Sequence, residues 1–151
     1  MKLANVEKEI LAALMKNPKS VMVLENPAVD CVGLSLGGVA YIIPAAQLWL
    51  DTTRLERRVD FRSVCSVLDT SENVLTMTGS LEECDGLVLR RFEDFTGEPV
   101  WVVNDLLKHF TSPEFFFQAT TRGPILVMET DNKEGPHKVG VLTPYNRKDQ
   151  F

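Results

Sequence analysis

Hydrophobic residues return every three or four positions near the start of the chain. Over residues 6–16 this spacing predicts an amphipathic helix, with Asn5 as its N-cap and Asn17-Pro18 as its end. Runs of β-branched and alternating apolar residues then predict strands over residues 20–25, 30–36 and 39–43. Between the last two strands, Gly37 and Gly38 predict a tight hairpin turn, because glycine accepts the positive φ that such turns require.

The rest of the chain alternates between strand-prone runs and polar segments. Strands are predicted over residues 63–68, 74–78, 87–92, 100–103, 115–119, 125–130 and 138–143. Polar turns or loops are predicted over residues 69–73, 80–86 and 131–136. Residues 44–51 show no clear period, and Thr53 with Glu56 fits a capping box before Arg57. Asn104-Asp105 predicts the start of a second short helix. The pattern therefore predicts one α+β domain over residues 1–151, mainly antiparallel sheet with two short helices.

The order helix, strand, strand, turn, strand, proline occurs twice, over residues 1–44 and 100–145. The first copy ends Val-Ala-Tyr-Ile-Ile-Pro at Pro44, and the second ends Val-Gly-Val-Leu-Thr-Pro at Pro144. This order predicts an internal pseudo-repeat of a helix-plus-hairpin unit. Identities between the copies are few, so the alternative is that an α+β domain simply contains two similar hydrophobic hairpins.

Composition narrows the class of protein. With 151 residues, of which 44% are hydrophobic and 25% charged, the chain is typical of one globular domain. Its apolar runs are much shorter than a membrane-spanning helix requires, and acidic residues near the N-terminus argue against a signal peptide, so we expect a cytoplasmic protein. The cysteines Cys31, Cys65 and Cys84 are odd in number and form no CxxC pair, which predicts neither a disulfide framework nor a zinc site.

Residues suited to catalysis are few. The two histidines, His109 and His137, show no metal-ligand spacing. Ser80 with Glu82 and Glu83 fits a capping box at a helix or turn start better than an acid-base pair, and the carboxylates around Cys84 disfavour a reactive thiolate. We therefore expect a non-enzymatic binding protein with no metal and no cofactor.

The segment over residues 100–145 combines Val-Trp-Val-Val-Asn-Asp-Leu-Leu-Lys-His-Phe, Gly-Pro-Ile-Leu-Val-Met-Glu and a last strand that ends Leu-Thr-Pro. In these patterns it resembles the sliding-clamp family, the ring-shaped processivity factors of DNA polymerases. The resemblance implies a DNA-clamp-like fold and an accessory role in DNA replication. Clamp rings contain several such domains and this chain has the length of one. On this resemblance, either several copies assemble as a homo-oligomer or the domain has lost the ability to encircle DNA.

The resemblance further implies two sets of contact residues. Helix cations would face the phosphate backbone of duplex DNA, which here are Lys2, Lys8, Lys16, Lys19 and Lys108. A hydrophobic pocket for a protein partner near the closing strand would involve Leu142, Pro144 and Tyr145. Residues 1–20 carry four lysines and two glutamates, a balance of +2, in a chain of net charge −5. These lysines are equally explained as the solvated face of an amphipathic helix.

Other clusters keep further hypotheses open. Arg54, Arg58 and Arg62 would share one face if their segment were helical, and would bind phosphates or form surface ion pairs. A dense set of acids suggests the alternative of a small acidic inhibitor from a mobile element that mimics nucleic acid: Glu82, Glu83, Asp85, Glu93, Asp94 and Glu98.

Two groups of aromatic residues bear on the core and on partner binding. Trp49, between Leu48 and Leu50, could anchor a partner or fill the core. Residues 115–117 are three phenylalanines, which favour a strand buried on both faces.

Overall fold

A computed structural model describes residues 1–65, 74–117, 123–131 and 135–146. The helices are α1 (Leu3–Lys16) and α2 (Phe61–Val64), with 3₁₀ helices at Ala45–Gln47, Thr52–Arg54 and Asn104–Leu107. The strands are β1 (Val21–Glu25), β2 (Cys31–Leu36), β3 (Val39–Pro44), β4 (Arg58–Asp60), β5 (Val74–Cys84), β6 (Leu87–Glu93), β7 (Pro99–Val103), β8 (Glu114–Phe117), β9 (Ile125–Asp131) and β10 (Gly135–Leu142). The predicted α+β class, dominated by sheet, is confirmed.

Among the described residues the strands form one sheet in the order β4-β1-β2-β3-β10-β9-β8-β5-β6-β7. Every pairing is antiparallel except that of β1 with β4. The strand β5 is shared between two parts of the sheet: Val74 and Leu75 pair with β8, whereas its later residues pair with β6. The β6–β7 hairpin therefore continues the sheet from β5 alone.

The sheet carries a hydrophobic core on each face, because successive side chains of a strand point to opposite sides. On one face Val6 and Ile10 of α1, together with Phe92 and Val102 of the β6–β7 hairpin, pack on the sheet. On the other face the core contains Phe61 of α2. The predicted double burial of the three phenylalanines is confirmed: Phe115 and Phe117 belong to the first core and Phe116 to the second.

Helix α1 forms where the hydrophobic period predicts it but begins earlier. Its first turn is closed by the backbone N–H groups of Asn5 and Val6, which both donate to the carbonyl of Lys2. Lys2, not Asn5, is the N-cap, and its side chain makes no capping bond. The helix ends as predicted at Asn17, whose N–H donates to the carbonyl of Ala13.

The two units suggested by the sequence meet at the centre of the sheet. Each contains a helix followed by a three-stranded antiparallel meander, β1-β2-β3 or β8-β9-β10, and β3 pairs with β10 with Tyr41 opposite Gly140. The helical elements differ, since α1 has 14 residues and the second is a four-residue 3₁₀ helix. A common pseudo-repeat and a clamp-like fold stay predictions.

Several local predictions are wrong. Residues 80–84, predicted as part of a polar turn with a capping box at Ser80, continue β5, and the turn contains only Asp85 and Gly86. Ser63 and Val64 belong to α2 instead of a strand, while residues 66–68 of that predicted strand and the predicted turn at 69–73 lie outside the described residues. Asp131 and Gly135 belong to strands, so the predicted loop over residues 131–136 is shorter than expected, and residues 132–134 and 118–119 are not described.

The hairpin between β2 and β3 turns at Gly37 and Gly38 as predicted, but the two glycines differ. Gly37 has a φ of +64°, whereas Gly38 has no positive φ. A positive φ at the first turn position alone is the requirement of a type II′ turn. Of the two glycines that the sequence offered for a positive φ, only Gly37 adopts one, so a side chain would be strained at Gly37 and not at Gly38.

Candidate functional site

An exposed apolar surface lies beside α1 and is formed by Leu11, Met15 and Trp49, here called the α1–Trp49 surface. The exposed fractions of these side chains are 48%, 87% and 92%. Leu11 and Met15 are separated by four residues and so lie one above the other on the helix. Trp49 joins them from the loop after β3, where its backbone N–H lies 3.4 Å from the Glu7 carboxylate of α1.

The backbone after β3 decides which side chains of Leu48, Trp49 and Leu50 are exposed. Leu48 follows the 3₁₀ helix Ala45–Gln47 in an extended conformation, with φ −91° and ψ 127°. Extended backbone alternates its side chains, so Leu48 and Leu50 both pack against the core while Trp49 points to solvent. Of the two roles that the sequence left open for Trp49, the structure places it at the surface.

A groove separates α1 from the segment that carries Trp49. Its floor is apolar and consists of Val6, Ile10, Leu34 and Ile43, which are all buried. Its walls are completed by Glu7, Leu11, Leu48, Trp49 and Leu50. The groove is thus lined by hydrocarbon and aromatic atoms with one carboxylate at its rim, a setting suited to an apolar side chain of a partner.

The five lysines predicted to contact DNA do not form one group. Lys2 lies near Lys108, since its ammonium is 3.4 Å from the Lys108 carbonyl, at the start of α1. Lys16 and Lys19 lie at the other end of that helix, about 20 Å away by the helical rise. Among the described residues, no carboxylate forms an ion pair with the exposed Lys8, Lys16 or Lys19.

Lys108 is engaged within the protein. Its ammonium lies 3.3 Å from Asp105 and 3.4 Å from Glu9, and Glu9 also contacts the ring of the buried His109. Burial alone would lower the pKa of Lys108, but the hydrogen bond to Asp105 and the charge of Glu9 outweigh it and raise that pKa. A phosphate would have to compete with these carboxylates, so Lys108 serves to attach the 3₁₀ helix to α1.

The residues expected to bind a protein partner are split between core and surface. Leu142 is fully buried in the larger core, so it is not available at the surface. Pro144 and Tyr145 are half-buried. The Tyr145 N–H donates to the Trp101 carbonyl at 2.7 Å, and its phenol donates to Asp85 at 2.6 Å. These contacts hold the segment after β10 against β7 and the β5–β6 turn.

The predicted arginine face does not exist. Arg54 belongs to a 3₁₀ helix, Arg58 to β4 and Arg62 to α2, so no single helix carries them. Arg58 pairs with Glu25 at 2.7 Å and also donates to the carbonyl of Thr52. Arg54 lies 3.7 Å from Asp51. Arg54 and Arg58 therefore form surface ion pairs, which was the alternative to phosphate binding.

The acidic residues lie in two places. Glu82, Glu83 and Asp85 belong to the end of β5 and its turn, while Glu93, Asp94 and Glu98 lie around the opposite end of β6. Glu82 pairs with Leu89, which is four residues and about 13 Å along β6 from Glu93. Asp94 is used internally, because its carboxylate accepts from the Thr96 hydroxyl and from the N–H groups of Thr96 and Glu98. The acidic residues thus lie at both ends of the β5–β6 hairpin, and the inhibitor hypothesis stays a prediction.

Neither cysteine nor metal chemistry adds a site within the described part of the chain. No disulfide joins the three cysteines, and burial, then the charge of Asp30, raises the pKa of the Cys31 thiol. No group of three histidine, cysteine or acidic side chains could hold a metal ion there. The helices in that part are also too short or too polar to cross a bilayer.

Comparison of the chain with protein families, with curated proteins and with solved structures finds no match.

Trp49 was a candidate from the sequence, but Leu11 and Met15 were not predicted as its neighbours. The signal was available, since Leu11 and Met15 lie beside Lys8 on one flank of α1, about 100° and 140° around the helix axis from the buried Ile10. Apolar residues on the polar face of an amphipathic helix indicate a contact surface more directly than the lysines beside them.

Proposed function

We propose that this chain is a non-enzymatic protein-binding module and that the α1–Trp49 surface is its contact surface. The observation that carries the proposal is the 92% exposure of Trp49 beside an apolar groove. Single exposed apolar residues are common on proteins. A tryptophan adjoining an exposed leucine, an exposed methionine and a groove is the arrangement typical of interface anchors.

The charges beside this surface favour an amphipathic helix with acidic flanks as the partner. Lys8 is one turn before Leu11 on α1, and Lys16 follows Met15, so cations with no ion-pair partner among the described residues border the apolar patch. An approaching helix would place an apolar side chain in the groove and carboxylates against these lysines. Such complementarity speeds association and sets orientation, while the apolar contacts supply most of the affinity.

A designed peptide tests this function. The probe is a helical peptide with a leucine stripe flanked by glutamates, and binding is measured by calorimetry. Trp49→Ala should weaken binding by about thirtyfold, the effect of an anchor residue worth about 2 kcal/mol. The matched control is Phe95→Ala, which removes a 76% exposed aromatic side chain elsewhere. Equal affinity of the Trp49→Ala variant and the wild type would contradict the proposal.

Duplex DNA is the second candidate partner, in line with the clamp resemblance. It is favoured by the exposed Lys8, Lys16 and Lys19, which form no ion pair with the carboxylates that the structure describes. With about three phosphates neutralised, the logarithm of affinity should fall against the logarithm of salt concentration with a slope of roughly −3. Fluorescence anisotropy with a labelled duplex measures this slope, and changing the three lysines to alanine should abolish binding. A clamp also requires a closed homo-oligomer. If sedimentation gives the mass of a monomer and the protein binds no DNA, the hypothesis of a DNA clamp is wrong.

A further inference from the structure

We propose that the outer edge of β5 binds an extended basic peptide as an added strand. This site is separate from the α1–Trp49 surface and does not depend on it. The proposal rests on the open edge of β5, on the direction of its backbone groups and on the charge of the side chains around it.

Most of β5 has a strand on one side only. Of its 11 residues, Val74 and Leu75 pair with β8, whereas Thr76, Met77 and residues 81–84 pair with β6 across an irregularity at residues 78–80. Among the described residues no strand pairs with the other edge of residues 76–84. Their side chains are exposed, apart from the half-buried Thr78 and Cys84. A long open edge of this kind is a template for a further strand.

The turn of the hairpin determines which backbone groups face outward. Asp85 and Gly86 have φ values of 52° and 78°, the positive pair of a type I′ turn. Such a two-residue turn closes on a hydrogen-bonded pair, here Cys84 with Leu87. Pairs alternate along an antiparallel ladder, so Glu83 and Leu81 direct their N–H and C=O groups away from β6. An added strand would bond to these four groups.

Charge decides between the occupants of this edge. Residues 74–89 contain no lysine or arginine, and Glu83 lies next to Asp85 at the turn. Arg90, the first cation along β6, is directed inward and donates to Asn104 at 3.1 Å and to the Thr78 carbonyl at 3.1 Å. Pairing with a second copy would bring like charges together, whereas a strand with lysines would place opposite charges across the ladder. The exposed side chain of Leu81 offers an apolar contact to the same strand.

Amide hydrogen exchange on the full chain tests the proposal. The probe is an extended peptide of alternating lysine and valine, with a glutamate-valine peptide as control. The lysine peptide should slow exchange at Leu81 and Glu83 by at least about tenfold, because these N–H groups would gain a partner. Glu82 and Cys84, whose N–H groups already face β6, should change little. No protection at Leu81 and Glu83 would overturn the proposal, and so would their protection in a dimer of the chain alone.

A proline variant gives a second, independent measurement. Glu83→Pro removes an outward N–H group and leaves the bonds to β6, and proline is tolerated at an open sheet edge. It should fold and bind the lysine peptide at least about tenfold more weakly than the wild type. Trp49→Ala should bind this peptide normally, which separates failure of this site from failure of the α1–Trp49 surface. Wild-type affinity in a folded Glu83→Pro protein would show that the edge is not the binding site.

Discussion

At the scale of single residues, neighbouring apolar side chains differ in whether they are buried or exposed. Leu48 and Leu50 pack on the core, and Trp49 between them is exposed. Composition identified the three as apolar, but their directions follow from the extended backbone after the 3₁₀ helix Ala45–Gln47. Lys108 pairs with Asp105, three residues before it, and with Glu9, and only the first of these partners is close in the sequence. Contacts between distant segments decide which residues remain available.

The turn at Gly37 gives a prediction at this scale. Gly37→Ala should lower the free energy of unfolding by about 1 kcal/mol or more, because an L-residue is strained at its φ of +64°. Denaturant unfolding measures the change. Gly38→Ala is the matched control, because Gly38 has no positive φ. Its added methyl group would contact only the flexible end of the Leu106 side chain, at 3.0 Å. Equal stability of the Gly37→Ala variant and the wild type would contradict the assigned turn.

The two tyrosines give a second residue-scale prediction. The pKa of Tyr41 is raised by burial and then by the charges of Glu9 and Asp105, and that of Tyr145 mainly by its hydrogen bond to Asp85. A raised pKa stabilises the fold below the ordinary phenol value of about 10, and this contribution is lost as the pH rises through the raised values. In a pH titration, tyrosinate absorbance should therefore appear at higher pH in the native protein than in the denatured protein.

Variants separate the two phenols. Asp85→Asn should return the pKa of Tyr145 towards its ordinary value, so about half of the absorbance change should move to lower pH. Tyr145→Phe is the control. In this variant the only remaining tyrosine, Tyr41, should ionise above the ordinary pH range of a phenol. Ionisation of both phenols near their ordinary pKa in the native protein would contradict these contacts.

At the scale of elements, patterns that depend on near neighbours were the predictable part. The period of α1, the strands β1 to β3 and the Gly37-Gly38 turn were all found from the sequence. The sequence Asp85-Gly86 is an equally strong hairpin signal, but the polar residues before it were interpreted as a longer turn. Those residues extend β5 because they pair with β6, although their side chains are exposed. Hydrophobicity does not reveal a strand with two exposed faces.

The contact between β3 and β10 supplies the prediction at this scale. Gly140→Ala would place a methyl group 2.7 Å from the Phe110 ring and 2.9 Å from the Ala40 carbonyl, and the carbonyl belongs to the paired strand. Overpacking there should cost about 1–3 kcal/mol of stability, measured as a lower denaturant midpoint. At Gly79, where an added methyl group meets nothing within 4 Å, the same change should cost much less. A neutral Gly140→Ala variant would show that the strands are not this close.

At the scale of the whole molecule, the two proposed contact surfaces lie on different parts of one sheet domain. One face is covered by α1 and the β6–β7 hairpin, and α1 exposes a second apolar stripe next to Trp49. The β5–β6 hairpin extends beyond the pairing with β8 and leaves an open acidic edge. The sequence predicted the separation of basic and acidic regions. It could not show which charges are neutralised, because ion pairs such as that of Lys108 with Glu9 depend on the tertiary fold.

The most direct test of the proposed contact surface is the fluorescence of Trp49 itself. The chain has two tryptophans, so Trp101→Phe leaves Trp49 as the only emitting indole. When the acidic leucine-stripe peptide binds, the indole of Trp49 should move from water into an apolar environment. Its emission should then shift to shorter wavelength, and iodide should quench it less. Phe95→Ala in the same background should behave identically. Binding of the peptide with no change in the emission or quenching of Trp49 would contradict the account.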